Sequence, residues 1–594
     1  MTGCLTAKKK EPTSSIGSFF RLRRKDRSEK GFNVIQIVAG LYPDMPPFDL
    51  RGANEAGFPW ATNYASIRPE YFDAADRRLG YLVQQGFTPC LVGTWGYFLP
   101  WMGIEKMKAH WRYLIARYGA WPVVWCVAGE ANLPWYLVPK FPYDDREQVH
   151  GWTEVMKYVR ETDPFHRLVT IHPTAIGRYT ARHATDDTGL LDFDMLQTPH
   201  GQREAVPVTI GAVRDSYASK PMMPVIDGEA SYEMLSDSLP TEWTRRMCWI
   251  CLMNGAAGHT YGANGIWQCN RPGQPHGKSP HGGSYGQIPW NEAMHLPGSK
   301  QVGLAKALLE QYPWQRFEPH PEWAISPVEP LLNLDVSSWI WFPEGNPAQD
   351  APAAKRCFRL TFVLPEGKTW DHACLRVSAD DWFSAWLNGH LLGTGSDWHS
   401  GRQFEDLRGF LKNGTNLLAI VAENKPANVP QNPAGLIACL EVKGTDGESC
   451  RWVTSDKWRC SQTEVAGWDR PGFDDSKWQD SLIIGRYGDR PWGRLAEVND
   501  LAHEPQAAGI PGLVRLVYVP QHEPVEVRSL GPHAKQNAIR FDPVSGARTP
   551  IGIIQADAQG CWKCAAPSDH DHDWVIILET PDLSNKTPDG RSLK

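Results

Sequence analysis

The sequence predicts a mixed α/β and all-β protein: a (β/α)8 TIM-type barrel, its first strand missing or degenerate, followed by two β-sandwich domains. Three observations predict it. Residues 31 to 325 alternate short apolar runs with longer amphipathic stretches, the rhythm of a parallel sheet covered by helices. From about residue 326 the helical stretches disappear and short strand-like runs with turns take over, the texture of antiparallel sandwiches. At 594 residues the chain is too long for a single core, so several domains are expected.

The strand candidates in the first region are FNVIQIVAG from Phe32, FTPCLVG from Phe87, PVVWCVAG from Pro122 and LVTIHP from Leu168. DMLQTPH from Asp194, MMPVIDG from Met222 and AAGHTYG from Ala256 follow. Continuous apolar runs of this kind suit strands buried on both faces. Amphipathic stretches such as EYFDAADRRLGYLVQQG and EKMKAHWRYLIARYG lie between them and end on glycine, a helix stop. Seven βα units result, where a closed barrel wants eight in ~250 residues.

The stretch 326–500 contains SSWIWF, AKRCFRLTFVL, WLNGHLLG and NLLAIVAEN, which predict one sandwich. Asn388-Gly389 predicts a type I′ hairpin turn. Residues 505–580, with VRLVYVP and HDWVIILE, predict a smaller one, and 581–594 a tail. The segment 1–30 is basic and polar, without the apolar stretch of a signal peptide. A cytoplasmic protein is therefore expected from the chain as written, and a secreted or periplasmic one if its N-terminus is truncated.

Composition narrows the function. A net charge of −6 offers no concentrated positive face, so nucleic acid is not an expected partner. No run is long and apolar enough to span a bilayer, so neither is a membrane. The 27 tryptophans are the unusual number; flat indoles stack on sugar faces, and they also fill ordinary cores. The close pairs Cys248/Cys251 and Cys561/Cys564 have no partners at metal spacing, and buried free thiols are the expected reading.

In a barrel the C-terminal ends of the strands face the active site. The run WCVAGEANLPW places Glu130 at that rim, and VIDGEASYE places Glu229 there with Glu233 beyond it. Trp95, His172, His200, His259, Tyr261, Asn264 and Trp267 end the other strands. Two carboxylates among imidazoles and indoles suit glycosidic cleavage: one carboxyl protonates the leaving oxygen, the other attacks or activates water. A single glutamate after a strand is more often a helix-cap partner or a salt bridge. Two on separate strands at one rim favour chemistry. Among these rim residues no HxH or HExxH spacing supports a metal site, and hydrolysis by this route needs no metal or cofactor.

The run from FNVIQIVAG through HWRYLIARYGAWPVVWCVAGE, PVIDGEASYE and GAAGHTYGANGIWQ resembles the apiosidase-like glycoside hydrolases, TIM-barrel enzymes of a retaining clan. The resemblance implies an acid/base after strand four and a nucleophile after strand seven. With the first strand missing, those places fall to Glu130 and Glu229. It further implies a retaining, exo- or short-chain-acting hydrolase of a plant or bacterial polysaccharide. Trp95, His172, His200, Tyr261, Asn264 and Trp267 are the expected substrate contacts, with Trp125 and Trp135 desolvating the acid. The motifs SADDWFSAWLNGHLLGTG, FDDSKWQ and YGDRPWG resemble galactose-binding-like domains of large rhamnosidases. FDPVSGARTPIG and DHDWVIILE are similar to the small C-terminal β domain that often follows this catalytic domain. The family's opening strand, with a Gly-Asp-Thr-like turn, has no counterpart in residues 1–30; either the chain starts late or seven strands close the barrel. The rival reading is a non-catalytic carbohydrate binder on a decayed barrel. A polysaccharide lyase would need a Lys, Tyr or His base beside a charge-neutralising group. Oligomeric state is not predicted.

Overall fold

A computed structural model describes residues 26–581 apart from 134–143, 176, 280–284, 328–331, 397, 400, 406, 427–430 and 496–501. Most of segment 1–30, Trp135 and nearly all of the expected tail lie outside the described residues. The chain divides into two compact units, Met1–Pro327 with Leu501–Lys594, and Val328–Asp500.

Seven parallel strands run in chain order through the first unit: β1 (Val34–Val38), β2 (Thr88–Val92), β3 (Val124–Cys126), β4 (Val169–Thr170), β5 (Asp194–Gln197), β6 (Val225–Glu229) and β7 (Gly258–His259). They coincide with the seven apolar runs of the sequence. Helices α1 (Pro69–Gln84), α2 (Ile104–Tyr118), α3 (Arg146–Thr162), α4 (Ala205–Ala218) and α5 (Thr241–Met253) supply crossovers, and α6 (Pro297–Leu309) follows β7. In α1, Pro69 opens the first turn, and Tyr71, Phe72, Ala75, Leu79 and Leu82 form its buried stripe, the spacing that lays one helix face on a sheet.

The expected closed barrel is not what these strands form. They make two arcs, β1–β4 and β5–β7. Among the described residues no ladder joins β4 to β5 or β7 to β1. The cause is strand length. Both β4 and β7 contain only two residues, too few to carry a ladder on each edge. Between β4 and β5 the link is looser: Asp192 N–H donates to the Val169 carbonyl at 2.9 Å, and the Thr170 hydroxyl to the Phe193 carbonyl at 2.9 Å. On the other side, residues preceding β1 reach the chain just past β7, where Phe32 meets the Tyr261 ring at 6.0 Å and Arg27 lies over both rings.

The C-terminal strands belong to the same unit. Glu318–Pro319 and Ala324–Ile325, following α6, pair with Gln506–Ile510 and Val525–Val527. Trp249 of α5 stacks on Tyr518 at 5.6 Å. Beside it, Arg245 is held by buried Asp573 and by Gln301, and the Tyr518 hydroxyl also donates to Asp573 at 3.0 Å.

The second unit is two six-stranded antiparallel sheets with an apolar core of Phe358, Leu375, Val377, Leu418, Ile420 and Leu440 between them. At its hairpin Asn388 and Gly389 take φ values of 53° and 85°, the left-handed pair a type I′ turn demands. Cys248, Cys251 and Cys564 are buried free thiols, whereas Cys561 is half-buried. Among the described residues no helix is long and apolar enough to cross a membrane.

Candidate active site

At the C-terminal ends of the strands lies a cavity of about 130 Å³, lined by Asp44, Trp95, Glu130, Gln197, His200, Glu229, Tyr232, Leu235, Trp267 and Tyr285. The two carboxylates arrive by different local devices.

Glu130 follows β3, where Gly129 bridges to Trp95 and the chain turns sharply. A Cβ on Gly129 would stand 2.3 Å from the Trp95 ring, so glycine is required there. Glu130 itself has φ 41°, a strained value for a residue with a side chain. Its N–H donates to His172 Nδ1 at 3.3 Å. Its side chain accepts from Trp95 Nε1 at 2.9 Å and from Gln197 Nε2 at 3.0 Å.

Glu229 ends β6, just past a bulge: Leu196 pairs with Asp227, but the next residue, Gln197, pairs with Glu229. Behind it Asp227 points away from the cavity. It accepts from the Thr198 hydroxyl at 2.8 Å, the Cys251 thiol at 3.3 Å and the Glu229 N–H at 3.3 Å. The Glu229 carboxylate faces His200 Nε2 at 3.2 Å and His172 Nε2 at 3.5 Å, and takes a hydrogen bond from Tyr232. Because His172 Nδ1 is an acceptor, its proton sits on Nε2, towards Glu229. Tyr232 packs on the His200 ring at 4.7 Å.

These surroundings drive the two acids apart. Burial, then the nearby Glu229 charge, pushes Glu130 up to about 7, beyond what Gln197 and Trp95 offset. Burial also acts to raise Glu229, but His200, His172 and Tyr232 outweigh it and hold that carboxyl below its ordinary value. His200 is raised, burial being overcome by the Glu229 carboxylate, whereas burial lowers His172. Below about pH 7 a protonated Glu130 thus shares the pocket with an ionised Glu229.

Of the expected contacts, Trp95, His200 and Trp267 line the cavity, and His172 stands directly behind Glu229. Tyr261 and Asn264 do not line it. The Tyr261 hydroxyl donates to Glu233 at 2.5 Å, and Asn264 Nδ2 to Asp237 at 2.6 Å; both side chains are buried in structural work. Glu233 is equally engaged, accepting from Thr241 at 2.6 Å and the Gly298 N–H at 3.0 Å. Trp125 is also elsewhere, with its indole on Asp163 at 2.9 Å and its ring against Trp111. Asp44, Gln197, Tyr232, Leu235 and Tyr285 were absent from the sequence-derived set. Gln197 and Tyr232 sit within the quoted strand-end runs, whereas Asp44 and Tyr285 are on loops without a periodic signal.

Residues 21–316 match the family model described as "Apiosidase-like, catalytic domain". Over that span the chain belongs to the apiosidase-like family. That family is one of glycoside hydrolases. A structure titled "Glycoside hydrolase" is similar over 95% of this chain and 89% of that one, with 17% identity and a TM-score of 0.54. A glycoside hydrolase family 5 protein from Bacteroides vulgatus is similar over 97% and 89%, with 16% identity and a TM-score of 0.54. At those identities the likeness is one of fold. An alpha-L-rhamnosidase from Streptomyces avermitilis is 37% identical over 193 residues, which are 30% of this enzyme and 18% of the relative. The enzyme therefore spans less than a fifth of that relative's length.

Proposed function

We propose that the enzyme cleaves a glycosidic bond with retention of anomeric configuration, using Glu130 as acid/base and Glu229 as nucleophile. The observation carrying this reading is the opposite perturbation of two carboxyls in one cavity, Glu130 raised to about 7 and Glu229 lowered, the division of labour a glycosidase needs. Glu130 gives its proton to the leaving oxygen while Glu229 attacks the anomeric carbon, forming a glycosyl ester. Glu130, now ionised, takes a proton from water as that water displaces Glu229. His200, His172 and Tyr232 keep Glu229 ionised until attack.

The lining also bears on the substrate. Gln197 Oε1 and Trp267 Nε1 are buried without a hydrogen-bond partner among the described residues, an acceptor and a donor suited to sugar hydroxyls. Asp44 adds a third carboxylate, hydrogen-bonded by the Tyr285 hydroxyl at 3.1 Å, and among the described residues no Lys or Arg lines the cavity. Among the same residues His200 is the one lining imidazole set against these carboxylates, and a lining in which acids outnumber it disfavours anionic ligands, so the substrate is an uncharged sugar of a plant or bacterial polysaccharide.

A panel of aryl apioside, arabinofuranoside, galactoside and rhamnoside tests the activity, with the galactoside run beside its uronide. Turnover is expected on an uncharged member, with the first-formed product anomer matching the substrate by NMR. Glu229→Ala should abolish turnover, and a slow 2-fluoro glycoside should leave its sugar on Glu229. Inversion at the anomeric carbon, or an adduct elsewhere, would refute the assignment of roles. Preference for the uronide would refute the substrate class.

A further inference from the structure

In the second unit, the strand Trp370–Asp380 divides its residues between two faces. Ala373, Leu375, Val377 and Ala379 enter the core between the sheets, which turns His372 and Cys374 to the opposite face. There Cys374 packs beside Leu334, Trp339 and Cys439. The antiparallel register pairs Leu375 with Phe404, so the next position, Glu405, comes opposite Cys374. Directly opposed side chains stand about 4.5–5.5 Å apart at Cβ. An imidazole, a thiol and a carboxylate thereby converge, one ligating atom of each lying within 4.8 Å of the others.

The carboxylate is oriented and half satisfied. Glu405 Oε1 accepts from the Gln403 amide, whose own oxygen is fixed by the Leu332 N–H at 2.8 Å. Glu405 Oε2 is buried with no hydrogen-bond partner and stands 3.6 Å from His372 Nε2. His372 and Glu405 side chains remain 24% and 33% exposed, which leaves an entry path. A second group, Asp227, Cys251 and His259, is as compact. There Asp227 already accepts three donors, one of them the Cys251 thiol, so its charge is met by the protein.

We propose that His372, Cys374 and Glu405 form a zinc site, with water as the fourth ligand. Sulfur, imidazole nitrogen and one carboxylate oxygen are the donors zinc takes tetrahedrally, and a thiolate argues against calcium or magnesium. Binding expels the thiol proton as the metal–sulfur bond forms. The ion ties the three-residue strand Arg402–Phe404 to its neighbour, independently of the hydrolytic site.

The full-length protein, stripped with chelator and titrated with Co²⁺, tests this. One equivalent should bind with a sulfur-to-cobalt charge-transfer absorption, and one equivalent of Zn²⁺ should displace it. Cys374→Ser should remove the absorption; His372→Ala and Glu405→Gln should weaken binding by at least about 10-fold. Cys251→Ser should leave both unchanged. No thiolate band in the wild-type protein, or a band that survives Cys374→Ser, overturns the proposal. Circular dichroism establishes that each variant is folded, and should Cys374→Ser misfold, the other two substitutions decide the matter by the same titration.

Discussion

His200→Phe isolates what keeps the Glu229 carboxylate ionised. The phenyl ring retains the packing on Tyr232, whose ring centroid lies 4.7 Å from that of His200. What it loses is the Nε2–H facing Glu229 Oε1 at 3.2 Å. A hydrogen bond to a charged group contributes about 1.5–3 kcal/mol, and each tenfold step in an acid constant is about 1.4 kcal/mol. The His200 side chain is 23% exposed, so solvent takes only part of that. The Glu229 pKa should therefore rise by about one to two pH units. In kcat/KM the acid limb reports the free enzyme's essential base, so that limb should move up by the same amount. The basic limb, set by Glu130 at about 7, should move much less. The assay is kcat/KM across pH on the best aryl glycoside. A uniform loss of rate with both limbs in place would refute the reasoning, because it would give His200 a part in binding and none in ionisation.

Three further predictions follow from neighbouring contacts. Trp95→Phe removes the indole N–H that holds the Glu130 carboxylate at 2.9 Å; that bond favours the charged form, so the basic limb of the same profile should move up, and a downward movement would contradict it. Asp227 has its pKa raised to about 6, chiefly through burial, so it is already neutral where the lowered Glu229 titrates. Asp227→Asn should therefore leave the acid limb in place, where His200→Phe moves it, and a clear shift of that limb would contradict this. Asp573→Ala strips the buried Arg245 of its counter-ion between α5 and the C-terminal sheet; leaving one member of a buried pair costs about 3–5 kcal/mol, read as a lowered denaturant midpoint, and a change below about 1 kcal/mol would show the guanidinium finding another partner.

The strands were legible because burial on both faces writes itself as unbroken runs such as VIQIV and TPCLV. Closure was not, because it depends on where hydrogen bonds stop. LVTIHP reads as six residues and pairs over two, a difference that leaves no mark in composition. Rim position was legible for the residues in GEAN and DGEASYE, since strand ends are marked by glycine. Direction at the rim was not. Tyr261 and Asn264 occupy the right stretch, but their partners Glu233 and Asp237 come from the segment after β6, and no local pattern announces a partner that distant. Asp44 and Tyr285 reach the cavity from loops, where apolar periodicity carries no information.

Both proposed catalytic carboxylates stand where the backbone departs from regular geometry, and this explains why alternation alone would misplace them. In an unbroken strand Asp227 and Glu229 would share a face. The bulge between the Leu196 and Gln197 pairings turns Glu229 into the cavity while Asp227 remains outside, bonded to Thr198 and Cys251. A bulge re-aims a side chain at the cost of a local ladder bond, and here Asp227 recovers that loss by accepting the Glu229 N–H itself. Glu130 is turned instead by a positive φ, fixed through its own N–H on His172 Nδ1. The same contact sets the His172 tautomer, which in turn presents Nε2–H to Glu229. The strained backbone of one carboxylate therefore selects the proton that faces the other. The protonation difference between Glu130 and Glu229 is, on this argument, a property of the paired strand ends, not of either residue alone.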